Sequence, residues 1–196
     1  SEDIFIGFAM NDNGYRNITS STKPINTAAD LKGFKIRVPV SPLWTSMFKA
    51  LEAAPASINF SEVYSALQQG VLDGQENPYA VIRDRNFNQV QKYLTGTSHF
   101  FDFILIAANK KRFEALKPEQ QAAVRTAMQK AVAKQRADAE KADTESLEDL
   151  KKRGMQFEAP SPQLVEQMRK ATAGVVELLK KKVDPRLVEE VLASAK

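Results

Sequence analysis

Between Pro118 and Gly154 the chain contains no other proline or glycine. Ala, Glu, Lys, Gln and Arg dominate this run, and Val124, Met128, Ala131, Ala142 and Leu150 recur at roughly helical spacing. The pattern predicts one helix over 118–153, stopped by Gly154. At 1.5 Å rise per residue such a helix spans about 50 Å, longer than a small domain is wide. It must therefore protrude or cross a second body.

The rest of the chain alternates short β-rich runs with helical patterns, which predicts a mixed α/β sheet with helices packed on it. Ile4–Met10 reads as a strand, Asn11-Asp12-Asn13-Gly14 as a turn and Tyr15–Thr19 as a second strand. Thr27 with Asp30 resembles a short capping box closed by Gly33, and Phe34–Val38 is the next strand. Ser41-Pro42 is a strong helix start, after which Leu43, Met47, Phe48 and Leu51 share one face. Ala56–Phe60 reads as a strand, Ser61 as the cap of a helix carrying Val63, Tyr64 and Leu67, and Val71–Glu76 as a strand with Gly74 inside it. Asn77-Pro78 opens a helix to about Asn86, and Val90–Leu94 is extended. Phe101–Asn109 is apolar without alternation, which predicts burial on both faces. Met155–Glu158 is strand-like, Ser161-Pro162 starts a helix to about Lys182, and Asp184-Pro185 starts a last one.

Composition narrows the function. Among 196 residues, 28 Lys and Arg stand against 24 Asp and Glu, a formal charge of +4. That is too mild to call for nucleic acid, but it slightly favours small acidic ligands. No apolar run is long enough to span a membrane. The absence of cysteine excludes disulfides, thiol catalysis and the usual structural zinc sites. The one histidine, His99, has no second ligand at metal spacing and reads as a structural or rim residue. There is no glycine-rich phosphate loop and no Gly-x-Ser-x-Gly elbow, so neither a cofactor nor a metal is implied and catalysis is disfavoured.

Arg37 is the most informative polar residue, because it sits inside the apolar strand Phe34–Val38 just before Pro39 and a helix cap. In open α/β sheets ligands collect at the carboxyl ends of strands, where a guanidinium can grip a carboxylate through two parallel hydrogen bonds. An edge-strand arginine in solvent, or paired with Asp30 or Glu62, fits the sequence as well. Arg16 shares this ambiguity. Asn77, held extended by Pro78, either caps the following helix or points into a site beside the strand ends. Phe60, Tyr64, Trp44, Phe100 and Phe101 read first as core residues and second as walls of a small-molecule pocket.

In order and spacing, the segments DLKGFKIRVPVSPLW, NFSEVYSALQQGVLDGQENP and FNQVQKYLTGTSHF resemble the periplasmic solute-binding proteins of tripartite ATP-independent periplasmic (TRAP) transporters. The resemblance runs from about Asn13 to Leu150. It implies a periplasmic protein that traps an organic acid between two α/β lobes and then docks on membrane subunits driven by an ion gradient. Arg37 in KIRVP matches the arginine that clamps the ligand carboxylate, and Arg16 in NGYR matches a second arginine beside it. Asn77 in GQENP matches an orienting amide, and Phe60 in NFSEVY matches a pocket-wall aromatic. Val40 stands where relatives carry a polar Asn. With Trp44 as a further wall, it leads us to expect a monocarboxylate with an apolar or aromatic body rather than a sugar acid.

The resemblance also accounts for the long helix, which in relatives runs across both lobes. The fold class expected is therefore α/β: a periplasmic-binding-protein-like lobe of mixed sheet and flanking helices, a long spanning helix and C-terminal helices, with the first lobe largely missing. Residues 1–12 would be a crossover strand from that lobe, 13–100 the second lobe and 101–117 a strand and turn back toward the first. Residues 118–153 would be the spanning helix, and 154–196 the C-terminal strand and helices. Two rival readings are a self-association module built on the long helix, and a carboxylate-processing enzyme using Glu62, Glu76 or His99.

Overall fold

The computed structural model describes residues 5–194. Strand β1 (Phe5–Ser20) is followed by a 3-10 turn (Ala28–Leu31), β2 (Lys35–Val38), α1 (Pro42–Ala50) and β3 (Ala54–Ser57). Next come α2 (Val63–Gln68), β4 (Gly74–Asn77), α3 (Tyr79–Asp84), β5 (Tyr93–Asn109) and α4 (Lys110–Glu114). Helix α5 (Pro118–Lys152), β6 (Gln156–Glu158), α6 (Pro162–Lys180) and α7 (Pro185–Ser194) complete the chain. Ser1 to Ile4, including the expected start of the first strand, and the last two residues lie outside the described part.

The helices start where local chemistry demands. Thr27 N–H donates to the Asp30 carboxylate at 2.9 Å, Ser161 Oγ accepts from Leu164 N–H at 3.0 Å, and Pro42, Pro118 and Pro162 occupy first turns. The sheet is mixed, in the order β3-β2-β4-β1-β5-β6. β2 runs parallel to β3 and β4, whereas β1 is antiparallel to both β4 and β5. One core cluster places Ile36 and Val38 with Phe48 of α1 and Leu164 and Met168 of α6. A second gathers Val63 and Leu67 of α2, Ile82 of α3, Leu94 of β5 and Leu150 of α5. Because side chains alternate along a strand, Arg37 points away from the first cluster.

Several elements depart from the sequence expectation. Asn11–Gly14 is not a turn: β1 runs on through it, with its register against β5 shifting between Asp12 and Gly14, where Gly14 takes φ +116°. A register slip absorbs the glycine that read as a hairpin. A larger irregularity sets Gly96–His99 of β5 opposite the single residue Asn17. Asn17 fills that gap by accepting from Ser98 N–H at 3.0 Å and donating to the Tyr15 carbonyl at 3.0 Å. Phe101–Asn109 is not buried on both faces, since Phe103, Ile104 and Leu105 are 51%, 51% and 64% exposed. β4 is shorter than expected because Val71 stays in solvent, and Phe60 opens a 3-10 turn instead of ending a strand. Helix α5 packs on β1 and α3, and no helix among the described residues is long and apolar enough to cross a membrane.

Candidate functional site

The carboxyl ends of β2 and β4 and the middle of β1 surround an open cavity of about 500 Å³. Its polar lining is Asn13, Arg16, Arg37, Asn77, Asp84 and Arg85, while Pro39, Phe60 and Val81 supply the apolar part.

Arg16 is held from several sides. Its Nε donates to Glu76 Oε2 at 2.6 Å, and Nη2 donates to Glu76 Oε1 at 2.8 Å and to the Glu76 carbonyl at 2.7 Å. Nη1 reaches Asp102 Oδ2 at 3.0 Å, and Asn13 Nδ2 donates to that same oxygen at 3.1 Å. A guanidinium has five N–H groups, so only one, on Nη1, is left over. Glu76 is fully buried and also meets His99 Nε2 at 3.2 Å, while His99 Nδ1 pairs with Thr97 Oγ1 at 2.7 Å. Burial alone would raise the Glu76 carboxyl, but the hydrogen bonds from His99 and Arg16 outweigh it and hold the group below the ordinary carboxylate range. His99 lies within the irregular segment of β5.

Arg37 is 4% exposed and differently engaged. Nε and Nη2 both donate to the Ile58 carbonyl, at 3.1 and 2.9 Å, so one backbone oxygen occupies the side edge of the guanidinium. The end edge, formed by Nη1 and the second N–H of Nη2, has no acceptor among the described residues. Burial pushes Arg37 below the usual arginine value; Arg16 adds to this and Glu76 opposes it. β2 is an interior strand, and Asp30 pairs with Lys23 at 3.2 Å, so Arg37 is neither a solvent-facing edge residue nor the partner of Asp30 or Glu62. Phe60 lies under it, with Arg37 Cζ at 5.7 Å and Arg85 Cζ at 5.1 Å from the ring centroid.

Asn77 does not cap α3; Pro78 holds that position, and the Asn77 amide donates to Gln75 Oε1. Gln75 donates in turn to Thr19 Oγ1 at 2.9 Å, and Thr19 donates to Gln91 at 2.8 Å. This chain of bonds lets all four residues of β4 be buried although three are polar.

Four of the six expected site residues, Arg16, Arg37, Phe60 and Asn77, thus line one cavity, while Val40 and Trp44 lie outside its lining. Val40 is 71% exposed beyond Pro39. Trp44 stacks on Phe100 at 4.2 Å, and its ring centroid lies 5.9 Å from Arg16 Cζ. Glu62, Glu76 and His99 do not line the cavity either. Sequence reasoning missed Asn13, Asp84, Arg85 and the Asp102 that fixes Arg16. Of the Arg16 partners, only Glu76 left a signal: an acid within a short strand flanked by site residues requires a buried cation.

Residues 2–182 match the family described as bacterial extracellular solute-binding protein, family 7. The 2,3-diketo-L-gulonate-binding periplasmic protein of Escherichia coli is 37% identical over 145 residues, covering 74% of this chain and 44% of that protein. The sugar acid binding protein of Advenella mimigardefordensis, solved with galactonate, superposes with a TM-score of 0.92 at 34% identity, covering 97% of this chain and 62% of that one. A TRAP periplasmic solute binding protein from Sulfurospirillum deleyianum, solved with succinate, gives 0.91 at 29% identity, covering 96% and 63%. The chain thus spans about half the length, or less, of the curated relatives it matches.

Proposed function

The chain belongs to family 7 of the bacterial extracellular solute-binding proteins, and on that footing we propose that it is the second lobe of a periplasmic binder that captures a small organic acid for a TRAP transporter. The open end edge of Arg37, buried at the carboxyl end of β2, is the observation that carries this reading. A carboxylate placed there receives two parallel N–H bonds in a poorly solvated setting, where charge-assisted bonds are strong. Arg16 lends its one remaining N–H and Asn77 its amide, while Phe60 forms the wall. Val40 and Trp44 receive no ligand contact, and with them goes the reason for expecting an apolar body. Six of the nine lining residues are polar, and the relatives named above bind a diketo acid, a sugar acid and a dicarboxylate.

In this proposal residues 13–100 form the lobe, 1–12 and 101–117 connect it to a first lobe, 118–153 span both and 154–196 cover the outer side. The loaded protein would dock on the transporter's membrane subunits, and no catalytic step is assigned. The test is calorimetry on a two-lobed chimera in which the first lobe of the Advenella mimigardefordensis relative precedes this chain. We expect Arg37→Ala to abolish galactonate or succinate binding and Arg37→Lys not to restore it, since lysine lacks the planar fork. Unchanged affinity in either variant overturns the reading.

A further inference from the structure

We infer that Arg85 is a specificity-determining residue at the cavity mouth, reading a second acidic group on a ligand whose first carboxylate sits on Arg37. Arg85 follows the last turn of α3 and lines the same cavity as Arg37. Its side chain is exposed, and its guanidinium makes no hydrogen bond or ion pair among the described residues; it rests on the Phe60 ring. The neighbouring acid pairs elsewhere: Asp84 Oδ1 accepts from Arg83 Nε at 2.8 Å, and no ion pair joins Asp84 to Arg85 among the described residues. Arg16 is balanced by Glu76 and Asp102. The two unbalanced cations of the cavity are therefore Arg37, buried, and Arg85, at the rim.

Their spacing limits what can bridge them. The two guanidinium carbons lie 5.7 Å and 5.1 Å from one ring centroid, hence no more than about 11 Å apart. Paired N···O contacts of about 2.8 Å at each end leave room for only a short carbon spacer between two acidic groups. Phe60 lies beside both cations and gives that spacer an apolar surface. A monocarboxylate would satisfy Arg37 and leave Arg85 in water, where an exposed cation loses little. Arg85 therefore adds selectivity for diacids without being required for monoacids to enter.

The inference rests on the carboxylate-holding role of Arg37, and the experiment separates the two. The 196-residue chain, labelled with 15N at arginine, is titrated with succinate and with butyrate, which has the same chain length and one acid fewer, while the Nε–Hε resonances of Arg37 and Arg85 are followed. We expect butyrate to move Arg37 alone and succinate to move both. We expect succinate to bind about fivefold more tightly, the size of one exposed ion pair, with Arg85→Gln bringing succinate down to the butyrate level and Arg85→Lys keeping part of the preference. If Arg37 responds but Arg85 does not, or if Arg85→Gln keeps the preference, Arg85 has no such role and the carboxylate reading stands. If Arg37 responds to neither acid, both fail.

Discussion

Arg16 and Arg37 are both buried, yet the sheet uses them in opposite ways. Arg16 donates almost everything it has to Glu76 and Asp102, so it acts chiefly as structure with a residual donor toward the cavity. Removing its acidic partner should therefore cost folding before it costs binding. Glu76→Gln leaves a buried cation undercompensated, and we expect a loss of about 3 kcal/mol at neutral pH in chemical denaturation. The pH dependence follows from the lowered carboxyl. In the unfolded chain Glu76 titrates near its ordinary value of 4.5, and in the folded protein lower. Its stabilisation is therefore complete above that value and is lost as pH falls through the folded one. Denaturation at a series of pH values should show wild type converging on Glu76→Gln below pH 4.5, and a constant gap between them across that range contradicts the assignment.

β4 occupies the centre of the sheet and tolerates almost nothing. A Cβ on Gly74 would stand 2.1 Å from the Thr19 carbonyl oxygen and 2.6 Å from the Phe34 ring, and backbone cannot step aside for it. We expect Gly74→Ala to destabilise by about 3 kcal/mol, read as a fall in the denaturation midpoint at unchanged slope. Helices were legible in the sequence because their signals are local: Ser41-Pro42, Thr27 with Asp30, and Ser161-Pro162 each act within a turn or two. β1 and β5 were not, because strand length and register depend on partners about 90 residues away, and a bulge can absorb a glycine that reads as a turn. The site divides in the same way. Arg37 stood out as a charge set between Ile36 and Val38 just before Pro39, whereas Asn13 and Arg85 look like any solvated surface residue. Val40 and Trp44 were misplaced because nearness to Arg37 in sequence does not fix where a side chain points.

At the scale of the whole molecule, the far end of the β1–β5 ribbon carries exposed apolar side chains. Phe103, Ile104 and Leu105 are consecutive, so they point alternately to opposite faces, and all are about half exposed or more, as is Met10 across from Leu105. Exposed apolar surface of this kind invites association. We expect the chain by itself to form concentration-dependent dimers or larger species in light scattering. The double substitution Ile104→Asp with Leu105→Lys should shift it toward monomer, and a wild-type chain that stays monomeric at high concentration refutes this. The same ribbon is where a first lobe would be seated in the proposed function, so weak ligand binding by the chain alone follows from the same exposure.

Gln135 of α5 receives the Asp12 N–H at 3.1 Å and donates to the Asp12 carbonyl at 2.8 Å, and Arg136 donates to the Met10 carbonyl at 2.9 Å. A side-chain amide here pairs with backbone as a neighbouring strand would, tying the middle of a long helix to the sheet. Toward its carboxyl end the helix is buried at Ser146 and Leu150; toward its amino end Val132 is buried, and the first turns, which begin about 25 Å from Gln135, meet α4, with Arg125 Cζ 5.0 Å from the Phe113 ring. The helix therefore ties α4 to the sheet: a tilt of about 10° at Gln135 would sweep the first turn near Pro118, and α4 with it, through about 4 Å.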